Sequence, residues 1–216
     1  MKFRRKSADP TPEEIDAAAA EDQGGDDQDA VAGPFDVDDL VEDQDEPVQR
    51  VDLGSLLIEP VDGLELQLQV EEASGDVQSV LLAGDEGAVE LRAFAAPRGG
   101  DLWSEVRPRI AADFAQRGGT ATEREGRFGT ELVCQVTVRV EDGRTGTQPS
   151  RIIGVNGPRW MLRATLLGRP AVEVDAAQEW EDAIARVVVR RGANAMPVGA
   201  MLPLVLPPRD HVVEQD

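Results

Sequence analysis

Residues 154–168 read GVNGPRWMLRATLLG, and the fold turns on how this stretch is divided. Apolar and polar positions alternate after the proline. Trp160, Leu162, Ala164 and Leu166 fall on one face of an extended chain, and Arg159, Met161, Arg163 and Thr165 on the other. A period of two identifies a strand with one face in the core. RIIGV precedes it, and Asn156-Gly157 between the two runs is a strong hairpin signal, because both residues tolerate positive φ. Trp160 is then a core residue. It is expected to face the helix stripes that carry Trp103 and Trp180.

Working outward, the same period recurs. LELQLQV places Leu64, Leu66, Leu68 and Val70 on one face, and TELVCQVTVRVED places Leu132, Cys134, Val136 and Val138 on one face. VQSVLLAG and AVELRAFAAP are joined by GDEG, which suits a tight hairpin. Phe94, on the polar side of its strand, suggests that the second sheet face is partly covered. GRTGTQPS reads as a loop. Two segments have helical spacing: Trp103, Val106, Ile110 and Phe114 after Asp101, and Ala177, Trp180, Ile184 and Val187 after Asp175, with each aspartate a candidate cap. Pro108 conflicts with a start at Asp101, so a kink or a later start near Ser104 is expected. The prolines at 197, 203, 207 and 208 forbid a further helix, yet MLPLVLP is too apolar to stay in water. The expected fold class is α+β: a mostly antiparallel sheet with two amphipathic helices packed on it.

The chain has 216 residues and a net charge of −20. Residues 1–52 hold 17 acidic and 5 basic side chains, so most of the imbalance lies there. Such a segment buries too little apolar surface to offset the entropy of ordering. The expected division is an acidic, disordered tail with a short basic start over 1–52, one α+β domain over 53–208, and a loose tail over 209–216. Within the first segment Phe35, Val37, Leu40 and Val41 interrupt the carboxylates. They form a candidate docking segment, ordering on a partner or on their own domain.

Composition narrows the chemistry. A bare phosphate backbone repels a chain this acidic, so no specific nucleic acid is expected as partner. KFRRK has no apolar run behind it, which argues against a secretory leader, and no segment suits stable membrane insertion. One cysteine excludes an internal disulfide and fits a cytoplasmic setting. Cys134 alternates with the apolar face of its strand. The single histidine, His211, lies in the tail, so neither a nucleophile–base pair nor a metal site is expected. No glycine-rich phosphate loop follows a strand, and no cofactor is expected. Arg159 and Arg163 remain. They share a strand face about 13 Å apart, at roughly 3.3 Å per residue. They are candidate anion-binding residues, with Arg190 and Arg191 adding charge near the same end; pairing to glutamates on a neighbouring strand is the structural alternative.

Several stretches taken together carry a resemblance: LRAFAAPRGGDLWSEVR, GRFGTEL, IGVNGPRWMLRATLLGRPA, and VVVRRG with MPVGAMLPLVLP. They resemble an actinobacterial family of unknown function, number 3710, from about Phe35 to Pro207. The resemblance implies a cytoplasmic actinobacterial protein and carries over no catalytic residue. The order of strands and helices is also similar to the Mog1/PsbP-like group, whose members work mainly by binding proteins. Two functions are therefore expected to compete. The first is a non-enzymatic interaction or regulatory module with a protein partner. The second is an anion or small-ligand domain, possibly an enzyme, using the arginine face.

Overall fold

Alternating sequence becomes sheet wherever a neighbouring strand can satisfy its backbone, and here seven strands do so in one sheet. A computed structural model describes residues 33–40, 48–139 and 145–207 of the chain. In chain order the large sheet contains β4 (Glu65–Val70), β5 (Val77–Gly84), β6 (Gly87–Ala95), β7 (Thr120–Gly126), β8 (Gly129–Arg139), β9 (Thr145–Asn156) and β10 (Trp160–Gly168). Their spatial order is β4-β5-β6-β10-β9-β8-β7, and every pairing is antiparallel. Two meanders thus meet where β6 lies against β10. A second sheet is built from short strands: β1 (Phe35–Asp36), β2 (Val51–Asp52), β3 (Leu56–Ile58) and β11 (Val188–Val189), in the order β1-β11-β3-β2. With helices α1 (Leu102–Gln116) and α2 (Gln178–Ala185), the class is α+β.

The hairpin that opens the sequence argument divides differently from the expectation. Asn156 still belongs to β9, opposite Met161, and the chain turns through Gly157, Pro158 and Arg159. Gly157 does not take positive φ. It is required for space: a Cβ there would overlap the indole of Trp160. A glycine chosen for close approach looks the same in sequence as one chosen for a turn.

The two faces of β10 serve two cores. Trp160, Leu162, Ala164 and Leu166 join Trp180 and Ile184 of α2, Leu56 and Ile58 of β3, and Leu202 and Leu204 of the C-terminal segment. Met161, on the other face, packs with Leu132, Cys134, Ile152 and with Leu102, Trp103 and Phe114 of α1. Trp160 therefore faces Trp180 but not Trp103, which lies across the sheet. Sequence periodicity assigns faces within a strand but cannot say which helix covers which face.

Helix α1 begins at Leu102, not near Ser104. Asp101 caps it, its Oδ1 accepting from the Ser104 N–H (3.0 Å) and its Oδ2 from the Ser104 hydroxyl (2.5 Å). Those hydrogen bonds from Ser104 hold the Asp101 carboxyl below its ordinary range. Pro108 lies inside the helix and is tolerated at the cost of one backbone donor. Helix α2 is shorter than its apolar pattern suggests. A 3₁₀ turn (Asp175–Ala177) precedes it, and Asp175 makes no cap hydrogen bond. The β-branched run at Val187–Val189 leaves the helix and supplies β11. GRTGTQPS is not all loop either: β9 starts at Thr145, and Pro149 sits one residue past the last β9–β10 pair, Leu167 with Ser150, where β9 has lost one neighbour.

The folded region begins before residue 53. Phe35 N–H donates to Val187 O (2.9 Å) and Val37 N–H to Val189 O (3.0 Å), so β1 extends the small sheet in parallel with β11. The carboxylate of Asp36 accepts from the Trp160 indole N–H (2.6 Å). Phe35 and Val37 thus lie on their own domain, one of the two arrangements open to them, and Leu40 is half-buried; Val41 and His211 lie outside the described residues. At the other end, Leu202 N–H donates to Ala93 O (2.8 Å), and Leu204 bridges to Gly54 and Val77, which ties the C-terminal segment to both sheets.

A charged cluster is buried beneath α2. Arg151 (2 % exposed) donates through Nε to Glu131 Oε2 at 2.9 Å, and through Nη2 to Glu181 of α2. Glu131 (1 % exposed) also accepts from Arg124 at 2.6 Å. Arg151 and Glu131 thus form a fully buried pair, extended to the surface by Glu181 and Arg124, and the four side chains carry no net charge. Removing one member leaves an uncompensated buried charge, whereas replacing a pair with apolar groups need not.

Two outcomes follow from this packing. Gly154→Ala inserts a methyl into the Trp103 ring and should cost about 1–3 kcal/mol in urea unfolding; an unchanged midpoint contradicts the contact. Glu131→Ala should cost about 3–5 kcal/mol, and Glu131→Leu with Arg151→Met clearly less; a double variant no more stable than the single one contradicts the reading of the cluster.

Candidate functional site

The site is built by what α1 leaves uncovered. The helix packs on β7, β8 and β9. Its position is set at its first turn. The Trp103 N–H donates to Asn156 Oδ1 (3.1 Å), and Asn156 Nδ2–H donates to the capping carboxylate of Asp101 (2.7 Å). The Trp103 indole N–H donates to Thr130 O on β8 (2.6 Å), and the ring lies on β9 where Gly154 has no side chain. The Arg107 guanidinium, 6.0 Å from the ring centroid, covers the indole and pairs with Glu123 on β7 (2.8 Å). Asn156, which the sequence offers as a turn residue, is an anchor for the helix.

Between α1 and strands β6 and β10 a cleft of about 590 Å³ remains. That volume lies within the range of small-molecule sites. Its apolar lining comes from Phe94 of β6, Met161 of β10, Ile152 of β9, and Val106, Ile110 and Phe114 of α1. The charged lining is Glu90, Arg109, Asp113, Arg117 and Arg163. Three cations and two carboxylates make this a locally positive place in a chain of net charge −20.

Most of these charges are already engaged. Arg117 pairs with Asp113 (2.6 Å) and stacks over Phe114, its guanidinium 4.8 Å from the ring centroid. Glu90 pairs with Arg92. Arg163 differs. It sits opposite Arg92 on β6 and Gly154 on β9, with its guanidinium 5.2 Å from the Phe94 ring centroid. Among the described residues no carboxylate lies within ion-pair distance of it. Burial, and then the Arg92 charge, lower its pKa, while Glu90 opposes them. An arginine keeps its proton regardless. The half-buried charge is therefore only partly compensated.

The two arginines from the sequence argument are not brought together. Arg163 lines the cleft, whereas Arg159 sits in the turn and does not, its carbonyl accepting from the Ala96 N–H (2.9 Å). Arg190 pairs with Asp52 (2.8 Å) and Arg191 bonds Asn194 O (3.1 Å), so neither adds to the cleft. Arg109 was not singled out from sequence, and Phe94, Val106, Ile110 and Phe114 were read only as signs of covered faces, not as site residues. Phe94 and Arg163 sharing a face opposite the apolar one is the signal that points to them. Cys134 is buried under α1, and burial pushes its thiol up to about 11. A thiol so placed is a packing group, not a nucleophile. Among the described residues no three His, Cys, Asp or Glu side chains gather as metal ligands, and no helix is long and apolar enough to cross a membrane.

No curated protein matches the chain in sequence. Among solved structures it is similar to a protein of Bacteroides thetaiotaomicron VPI-5482 determined at 1.50 Å, with 12% identity and a TM-score of 0.40. That match covers 69% of this chain and 52% of the other, so the chain spans about half the length of that protein. The family model described as "Protein of unknown function (DUF3710)" matches residues 33–212, from just before β1 to beyond the C-terminal segment, and the chain belongs to that family.

Proposed function

We propose that this chain is a non-enzymatic binding and regulatory module, and that its recognition element is the cleft between α1, β6 and β10. The observation that carries the reading is Arg163: half-buried, against Phe94, and with no carboxylate at ion-pair distance among the described residues, because the carboxylates that share its cleft, Glu90 and Asp113, are paired to Arg92 and Arg117. A small anionic ligand supplies the missing charge there, and burial makes that contact stronger than at an open surface. The high thiol pKa of Cys134 supports a binding role over nucleophilic catalysis. A sheet flanked by helices, the arrangement of the Mog1/PsbP-like group, suits it by analogy of fold alone. The setting we propose is the cytoplasm of an actinobacterium, in keeping with a single cysteine and the motifs quoted above.

A protein partner is a second reading. It draws support from the dense charge of residues 1–32, but not from Phe35, whose backbone is occupied by β11. Arg159, half-buried in its turn and away from the cleft, belongs to neither reading as a primary contact.

A thermal-shift screen of acidic metabolites and nucleotides tests the proposal. At least one compound should raise the melting temperature, Arg163→Ala should abolish that rise, and Arg159→Ala should retain it. A screen without a hit, or a hit indifferent to Arg163→Ala, overturns the cleft as the binding element.

A further inference from the structure

The charge arrangement in the cleft also selects a class of ligand. Phe94 lies against the Arg163 guanidinium, its ring centroid 5.2 Å away, and Arg163 lines the cleft. A guanidinium edge offers two parallel N–H groups, and a planar carboxylate matches them with two oxygens. Beside it stands Glu90, already held by Arg92. A dianionic phosphate seated at Arg163 would face that carboxylate with a single half-buried cation beside it to balance two charges. A monoanion meets no such deficit. Of the other lining cations Arg117 is committed to Asp113, and Arg109 is exposed on the helix side of the rim. Along α1 the cleft carries Arg109 and the Arg117–Asp113 pair, and its apolar wall is Phe94, Val106, Ile110, Phe114, Ile152 and Met161. These offer no partner to a polar body and remove apolar surface from water.

Resting on the reading of the cleft as a binding site, we infer that its ligand is a small amphipathic monocarboxylate, its carboxylate on Arg163 and its alkyl or aryl body along the apolar wall of α1. Binding is reversible and involves no covalent step. The inference extends the site beyond Arg163: Val106 and Ile110, half-buried on α1, become the contacts that set how long an apolar body is accepted.

Isothermal titration of the full chain with hexanoate, octanoate, decanoate and decanamide tests this, with inorganic phosphate and a nucleoside monophosphate as further arms. Affinity should rise about two- to fourfold per added methylene along the acids. Decanamide should bind at least tenfold more weakly than decanoate. Arg163→Gln should weaken decanoate at least tenfold and leave decanamide unchanged. Ile110→Asn, on a half-exposed position, should weaken decanoate while the melting temperature of the free protein shows that it folds. Equal binding of decanamide and decanoate overturns the carboxylate assignment, as does decanoate binding indifferent to Arg163→Gln. Phosphate or the nucleotide binding through Arg163 with the fatty acids inert overturns the ligand class while the cleft stands as a site. No binding in any arm overturns both.

Discussion

The indole of Trp103 lies directly on the backbone of β9, and Gly154 is the residue that permits it. Any side chain there would occupy the ring's position. The ring is held from three directions: by Thr130 O through its N–H, by Arg107 across its face, and by Asn156 through the Trp103 backbone. With its first turn pinned at the end of β9, α1 runs over β7, β8 and β9. The other half of that sheet face is left to Phe94, Glu90, Arg92 and Arg163. The cleft is thus a consequence of where one tryptophan can sit. A helix centred on the sheet would have closed it.

The opposite face follows a parallel logic with different chemistry. Gly157 gives room to Trp160, whose N–H reaches Asp36 and so ties β1 to the core. Around it pack α2, the small sheet and the C-terminal segment. The Glu131–Arg151 cluster beneath α2 contributes little net stability, because desolvation offsets most of its Coulombic gain. Its effect is on arrangement: Arg151 on β9 accepts only a helix that brings Glu181 to it. A single hairpin therefore positions a helix on each side of the sheet, with glycines for tryptophans and polar side chains for register.

Much of this was legible in the sequence, and the failures have physical causes. Period two and hairpin signals located β4, β5, β6, β8, β10 and the end of β9, but not β7, whose TATEREG run carries no apolar face; helical spacing located α1 and the centre of α2. Asn156-Gly157 misled because it is the usual signature of a tight turn, while here the asparagine is a side-chain anchor and the glycine a clearance. Phe35–Asp36 was missed as a strand because two residues among carboxylates carry no periodicity; their pairing with Val188–Val189 is non-local. Trp103 and Trp160 were assigned to one core because a hydrophobic pattern says that a face is buried, not by what. In the site, Arg163 was legible from alternation. Its isolation from carboxylates was not, since it depends on Arg92 holding Glu90 and Arg117 holding Asp113.

The central claim is that the end of β9 positions α1 and thereby leaves the cleft open. A double-mutant cycle on Asn156→Ala and Asp101→Ala, read by equilibrium unfolding, measures the interaction on which that depends. The account predicts that the two costs are not additive, with a coupling of about 1 kcal/mol, as expected of side chains sharing one hydrogen-bond network. Additive costs within experimental error would contradict it, because the helix start would then be placed by something other than Asn156.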